Sequence, residues 1–311
     1  MGKVIAVCTS DRKGIQKHDV NTAHFSVEWG IDGDAHAGKW HRQISLLSAD
    51  KIEAFNARGA NVIPGAFGEN LVVEGFDFRA LPVGTLLRCN DVLLEMTQIG
   101  KECHSHCEIY KKMGECIMPR EGVFARVLEP GTISVGDEMV IVPREGHFPW
   151  QAAVITLSDK AAAGERKDES GPAIAKRLRE ASYEVVEEIV IPDDERVLKQ
   201  QLIRLCDQRQ LDLILTTGGT GCSARDITPE ATLAIADKNV PGIAEAMRAE
   251  SLKITRHAMI SRAASVIRGK TLIINLPGSP HACMENMDVF MDTIPHAMGL
   301  LRNEVHDCAR K

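Results

Sequence analysis

The chain has no apolar run approaching the roughly 18 residues that cross a bilayer, so a membrane partner is not expected. Its first apolar run, Val4-Ile5-Ala6-Val7, is too short for the core of a signal peptide and reads as a strand. Ala6 stands where a myristoylation motif needs Ser or Thr. Basic residues are not in excess: 37 Lys and Arg against 43 Asp and Glu leave a formal charge of −6, which argues against a nucleic-acid partner. Aromatic residues are scarce at 4 %. No two cysteines stand at the C-x₂-C spacing of common structural zinc sites. The 9 cysteines are an odd number scattered from Cys8 to Cys308, which excludes a small disulfide scaffold and predicts reduced thiols in a cytoplasm.

What remains is ordinary globular composition, 44 % hydrophobic and 26 % charged, over 311 residues, enough for two cores. Two prolines and a glycine between Val142 and Trp150 mark a linker. The expected division is residues 1–145, a linker at 146–151, and residues 152–311. In the first part, Val4–Val7, Leu71–Val73, Leu86–Cys89, Leu93–Thr97 and Met139–Val142 read as short strands between turns. One helix interrupts them, capped by Ser48, with Ile52 and Phe55 on its apolar face and Gly59 at its end. Many short strands with few helices predict a barrel-like β domain.

The second part alternates strand and helix. Ala153–Leu157, Val185–Ile191, Leu211–Leu215 and Thr271–Leu276 are the strands. Pro172 starts a helix facing inward with Ile174, Leu178 and Ala181, and Val197, Leu198, Leu202 and Leu205 mark another. This is an α/β layered domain whose ligand should lie at the strand C-termini.

The strand Leu211–Leu215 runs into Thr216-Thr217-Gly218-Gly219-Thr220-Gly221. Glycines let the backbone approach an anion, and threonine hydroxyls and amides can hold phosphate oxygens. The loop fits neither G-x-G-x-x-G nor the P-loop; Gly269-Lys270-Thr271 ends like a P-loop, but Ala264 occupies the leading glycine's place. A plain tight turn is the competing reading. Asp226 follows in Arg225-Asp226-Ile227-Thr228-Pro229-Glu230, just ahead of a helix start, and a second strand-end carboxylate lies in Ile191-Pro192-Asp193-Asp194. Two such aspartates beside a phosphate loop suit Mg²⁺ and a triphosphate; two helix caps would give the same pattern.

Leu157-Ser158-Asp159, Ile191-Pro192-Asp193, the glycine loop, Arg225-Asp226-Ile227-Thr228-Pro229-Glu230 and Asn275-Leu276-Pro277-Gly278-Ser279-Pro280 stand in an order and spacing that resembles molybdopterin adenylyltransferase of the MogA type. The resemblance covers nearly all of residues 152–305 and implies a MogA/MoaB-like, Rossmann-like fold. It implies that molybdopterin and MgATP give adenylyl-molybdopterin and pyrophosphate. It also implies that Asp193 and Asp226 are the catalytic or Mg²⁺-organising carboxylates and that Gly218, Gly219, Thr220 and Gly221 cradle phosphate. Ser261 matches a pterin-binding position, with Arg262 adding charge beside it, and Ser158 and Asp159 line the same cleft.

In the first part, Gly33-Asp34-Ala35-His36-Ala37-Gly38 is a loop able to bind metal or anion, or simply to turn. Cys103-His104-Ser105-His106-Cys107, with Cys116 nearby, invites a zinc reading against one in which Cys107 and Cys116 pack inside. Gly30 to Gly38, Pro64-Gly65-Ala66-Phe67-Gly68-Glu69-Asn70-Leu71, Leu81-Pro82-Val83-Gly84 and Gly131 to Asp137 resemble a MOSC domain, the molybdenum cofactor sulfurase C-terminal type, over most of residues 1–143. The resemblance places the usual cysteine, which in some relatives binds molybdenum or is proposed to carry sulfur, at Cys103. It implies a site for the molybdenum cofactor or sulfur at Cys103, Lys101 and His36. Relatives often have arginine and proline before that cysteine; this chain has Gly100-Lys101-Glu102, with Lys101 supplying the charge.

Both resemblances point to molybdenum cofactor biosynthesis, with a pterin and a nucleotide as small-molecule partners and other proteins of the pathway as expected associates. A homo-oligomer, a trimer by the MogA resemblance, is also implied. The alternative is a non-catalytic carrier of molybdopterin, of the molybdenum cofactor or of sulfur.

Overall fold

A computed structural model of the chain describes residues 1–101, 108–146 and 148–303. Contacts divide it into two units, Met1–Gly146 and His147–Lys311.

The first unit is built from strands β1 (Gly2–Thr9), β2 (His18–Asp19), β3 (Thr22–Ser26), β4 (Gly30–Ile31), β5 (Ile44–Ser48), β6 (Leu71–Glu74), β7 (Leu86–Cys89), β8 (Val92–Ile99), β9 (Val123–Glu129), β10 (Gly131–Ser134) and β11 (Glu138–Val142). Seven of them close a barrel in the order β1, β6, β5, β9, β8, β7, β11, and the ring is sealed where Gly2 and Lys3 pair with Met139 and Glu138. Closure leaves the ring without unpaired edges. Val4, Leu46, Val73, Leu87, Leu94, Met96, Val127 and Met139 fill it, each fully buried leucine or valine contributing roughly 2 kcal/mol. β2 extends β1, and β10, β3 and β4 form a separate small sheet.

The five expected strands are present, Leu86–Cys89 with the expected bounds and the other four longer. β5 and β9 were not expected, because Ile-Ser-Leu-Leu-Ser is too short an apolar run to separate strand from helix. The expected helix is Ala49–Asn56, burying Ile52 and Phe55, with Phe55 packed edge-on to Phe67 at 5.6 Å. Ser48 holds the N-cap position but does not cap: its hydroxyl accepts from the amide of Phe78 at 3.3 Å.

In the second unit the strands are β12 (Gln151–Leu157), β13 (Glu184–Ile191), β14 (Leu213–Thr217), β15 (Lys238–Asn239), β16 (Ser265–Arg268) and β17 (Thr271–Leu276). Their order is β13, β12, β14, β17, β16, β15; the first four are mutually parallel, and β16 runs antiparallel to both of its neighbours, β17 and β15. Ala152, Val154, Leu213, Leu215, Leu272 and Ile274 face helices Ser170–Glu180, Pro241–Ser251 and Pro280–Phe290. The alternate residues Ala153, Ile155, Ile214 and Ile273 face Glu195–Ile203 and Thr228–Ala234. A parallel sheet covered on both faces is the doubly wound arrangement, and its four parallel strands all end at one edge.

The first of those helices begins at Ser170, two residues before Pro172, because the Asp168 carboxylate accepts from the amides of Ser170 and Gly171 at 3.0 and 3.1 Å. Ala181 lies past its end and is exposed, so Ile174, Ala175 and Leu178 make its inner face. Among the described residues, no helix is long and apolar enough to cross a membrane.

Candidate active site

Parallel strands that end together bring their following loops together. Ser158 and Asp159 follow β12, Pro192 and Asp193 follow β13, the glycine loop follows β14, and Pro277 follows β17. Asp159 and Asp193 are locked reciprocally. The Asp159 amide donates to the Asp193 carboxylate at 3.1 Å, and the Asp193 amide donates to that of Asp159 at 3.0 Å. Arg225 donates to the other Asp159 oxygen at 2.5 Å, and this ion pair holds the Asp159 carboxyl below its ordinary range. Ser158 places its hydroxyl as the N-cap of the short helix Asp159–Ala162, accepting from Ala161 at 3.2 Å.

The loop itself is shaped by its carbonyls. Thr228 donates its hydroxyl to the Gly218 carbonyl at 2.8 Å and its amide to the Gly219 carbonyl at 3.1 Å. The Thr220 carbonyl accepts the Arg262 amide at 3.0 Å, and the Gly221 carbonyl accepts Arg262 Nε at 2.5 Å. With four consecutive carbonyls turned into the protein, the amides of Gly219, Thr220 and Gly221 donate to no protein acceptor among the described residues. Successive unpaired amides form a concave anion site. Gly218 and Gly219 have φ of +95° and +64°, the left-handed region that such a turn requires.

Both candidate carboxylates lie against this loop. A Cβ on Gly219 would stand 3.7 Å from Asp193 Oδ1, and one on Gly221 would stand 3.0 Å from Asp226 Oδ2. Asp226 is held by accepting the Ser223 amide at 2.7 Å and by donating its own amide to the Ser223 carbonyl at 3.0 Å. Asp193, Asp226 and the glycines therefore share one locus.

Beside Thr220 and Gly221 opens a pocket of about 280 Å³, walled by Met247, Arg248, Ile254, Ala258, Ile260 and Ser261 among others. Ser261 lines it. Arg262 is directed to the loop instead, where it also donates to the Asp226 carbonyl at 2.6 Å and pairs with Glu230. The sequence reading missed Thr228 as the loop's anchor, seeing only a helix start in Thr228-Pro229. It also missed Arg248, which donates to the Ala263 carbonyl at 2.9 Å on the pocket wall.

In the first unit, His36 lies over a buried ion pair. Lys17 Nζ donates to both oxygens of Asp34 at 2.9 and 2.8 Å, and the Ser10 amide donates to the same carboxylate at 3.0 Å. His36 Nδ1 is buried, makes no hydrogen bond among the described residues and lies 3.8 Å from Asp34. Burial first, then the charges of Lys17 and Lys101, lower the His36 pKa despite Asp34. Lys101 is thus within electrostatic reach of His36. Cys103, His104, His106 and Cys107 lie outside the described residues, and among those described no group of three or more His, Cys, Asp and Glu side chains is gathered as a metal site.

Glu69 is fully buried here and accepts the amides of Gly65 and Phe67 at 2.7 and 3.0 Å. Burial raises its pKa from 4.5 to about 7. The stability that its folded-state proton confers is complete below pH 4.5 and is lost as pH rises through about 7. A shift of that size corresponds to about 3 kcal/mol. Urea unfolding of this unit at about pH 5 and about pH 8 should show such a loss, and Glu69→Gln should flatten it. An equal slope in the variant would assign the loss to other groups.

Residues 153–296 match the family described as "Probable molybdopterin binding domain", and residues 33–140 match the MOSC domain. Over 150 residues the chain is 41 % identical to the molybdopterin adenylyltransferase of Helicobacter pylori strain J99, spanning 48 % of this chain and 85 % of that protein. The molybdopterin adenylyltransferase of Escherichia coli K12 is 41 % identical over 142 residues, 45 % of this chain and 72 % of its own length. A crystal structure of the molybdopterin biosynthesis enzyme MoaB from Thermus thermophilus is 42 % identical, covering 50 % of this chain and 97 % of that one with a TM-score of 0.48. Through its second unit the chain belongs to the molybdopterin adenylyltransferase family, and it carries a MOSC domain ahead of it.

Proposed function

We propose that the second unit transfers the adenylyl group of MgATP to the terminal phosphate of molybdopterin, and that the first unit binds or modifies the resulting cofactor. The observation that carries this reading is the placement of Asp193 and Asp226 against Gly219 and Gly221 of one loop whose amides are free. A phosphate oxygen of the pterin attacks the α-phosphorus of ATP, the bond to the β-phosphate breaks, and pyrophosphate leaves.

The amides of Gly219, Thr220 and Gly221 hold phosphate oxygens, so that the reacting groups meet in line without being steered by solvent. Ser261 and the pocket beside Gly221 take the pterin. The Asp193 and Asp226 side chains are half-buried and offer hard oxygen donors, a set that fits Mg²⁺. When bound, the ion supplies neutralisation of phosphate charge. Asp159 and Arg225 keep Asp193 in place by the bonds already described. In the first unit, Cys103, Lys101 and His36 are the proposed cofactor or sulfur site.

Purified full-length protein incubated with MgATP and molybdopterin should form adenylyl-molybdopterin and pyrophosphate in equal amounts, and chelation of Mg²⁺ should stop both. Tight pterin binding with no product would replace this reading by that of a carrier.

A further inference from the structure

The Arg262 guanidinium makes no contact with the pocket that its neighbour Ser261 lines. Its Nε donates to the Gly221 carbonyl at 2.5 Å, one terminal nitrogen donates to the Asp226 carbonyl at 2.6 Å, and the other pairs with the Glu230 carboxylate. Its backbone amide donates to the Thr220 carbonyl at 3.0 Å. One residue therefore clamps both ends of the loop from Thr220 to Asp226, while its chain neighbours Ile260, Ser261 and Ala263 form the pocket wall.

No other side chain bonds to the loop at Gly221 and at Asp226 among the described residues. The exposed residues Cys222, Ser223 and Ala224 lie between those two points, braced by the Asp226–Ser223 turn, by the Arg225 amide donating to the Ser223 hydroxyl at 3.1 Å and by the Cys222 thiol donating to the Ile260 carbonyl at 3.6 Å. Without the clamp, the Asp226 turn keeps its internal bonds to Ser223 and the Arg225–Asp159 pair but loses the side-chain bonds that join Gly221 to Asp226.

We propose that Arg262 is a positioning residue that sets the Asp226 carboxylate against the glycine loop and ties that setting to the pterin pocket wall. It recognises no substrate itself. Glu230 completes the device by neutralising the guanidinium charge, so that the clamp adds little net attraction for anions. The inference rests on the reading of Asp226 as a Mg²⁺-organising group, and its test does not need turnover.

The test uses the full-length chain with Mn²⁺ as the probe ion and α,β-methylene-ATP, which cannot transfer its adenylyl group, to measure Mn²⁺ affinity by the free-ion paramagnetic signal. Arg262→Gln should weaken Mn²⁺ binding at least about tenfold, Arg262→Lys should recover part of it by reaching one carbonyl, and molybdopterin affinity should stay within about threefold in both. In the turnover assay the same variants should lose kcat with little change in the KM for pterin. Wild-type Mn²⁺ affinity in Arg262→Gln with weakened pterin binding would overturn the inference and make Arg262 a substrate contact. Failure of the wild type to bind Mn²⁺ would overturn it as well. A wild type that binds Mn²⁺ but forms no product would remove the adenylyltransferase reading alone and leave the clamp to be judged on the Mn²⁺ result.

Discussion

Asp226→Asn is expected to lower the rate of adenylyl transfer by about a thousandfold or more while molybdopterin still fills its pocket. Asparagine has the same shape as aspartate, and its amide oxygen can accept the Ser223 N–H that Asp226 Oδ2 accepts at 2.7 Å. The loop turn, the Arg262 bond to the Asp226 carbonyl and the Glu230 pair all involve atoms that the substitution leaves alone. Only the negative charge beside Gly221 is removed. On the proposed reading, pterin affinity rests on the pocket wall at Met247, Ala258, Ile260 and Ser261, which Asp226 does not line. Steady-state kinetics together with direct pterin titration would separate the two effects. Unchanged kcat would take Asp226 out of the chemistry, whereas a matching loss of pterin affinity would make it a binding residue.

The architecture was largely legible because its signals are local. Short apolar runs bounded by turn residues, as in Val4–Val7 or Leu86–Cys89, and apolar strands running on to Asp193 or Gly218, are properties of short segments. The barrel's closure through Met139 and Gly2 is not, since it joins residues from the two ends of the unit. Both family resemblances hold, because they rest on several motifs standing in order. The glycine loop could be suspected from composition, yet what frees its amides is the capture of its carbonyls by Thr228 and Arg262. Arg262 stands far along the chain from the loop, and sequence alone offered it as a charge for the pterin. Asp168 was overlooked for the same reason: its value lies in the amides of Ser170 and Gly171 and the hydroxyl of Thr156, which donates at 2.7 Å. Side-chain to backbone bonds leave almost no trace in composition or periodicity.

The loop also predicts that two adjacent glycines fail in different ways when replaced by alanine. A Cβ on Gly218 would stand 2.4 Å from the carbonyl oxygen of Leu157, a backbone atom of the interior strand β12 that cannot yield without disturbing the sheet. With φ at +95° the backbone is strained as well, so Gly218→Ala should cost roughly 3 kcal/mol or more in unfolding free energy. A Cβ on Gly219 would stand 2.5 Å from Thr228 Oγ1, the end of a side chain, and φ is +64°. That left-handed backbone costs roughly 1–2 kcal/mol for a residue with a Cβ, and Thr228 can rotate away. Rotation breaks its bond to the Gly218 carbonyl and lets the loop amides turn. Gly219→Ala should therefore remain folded and lose about a hundredfold in kcat, with its unfolding midpoint moved far less than that of Gly218→Ala. Denaturant unfolding and kinetics on the two variants would decide the matter. A Gly219→Ala enzyme with wild-type kcat would mean that this loop does not hold the phosphates.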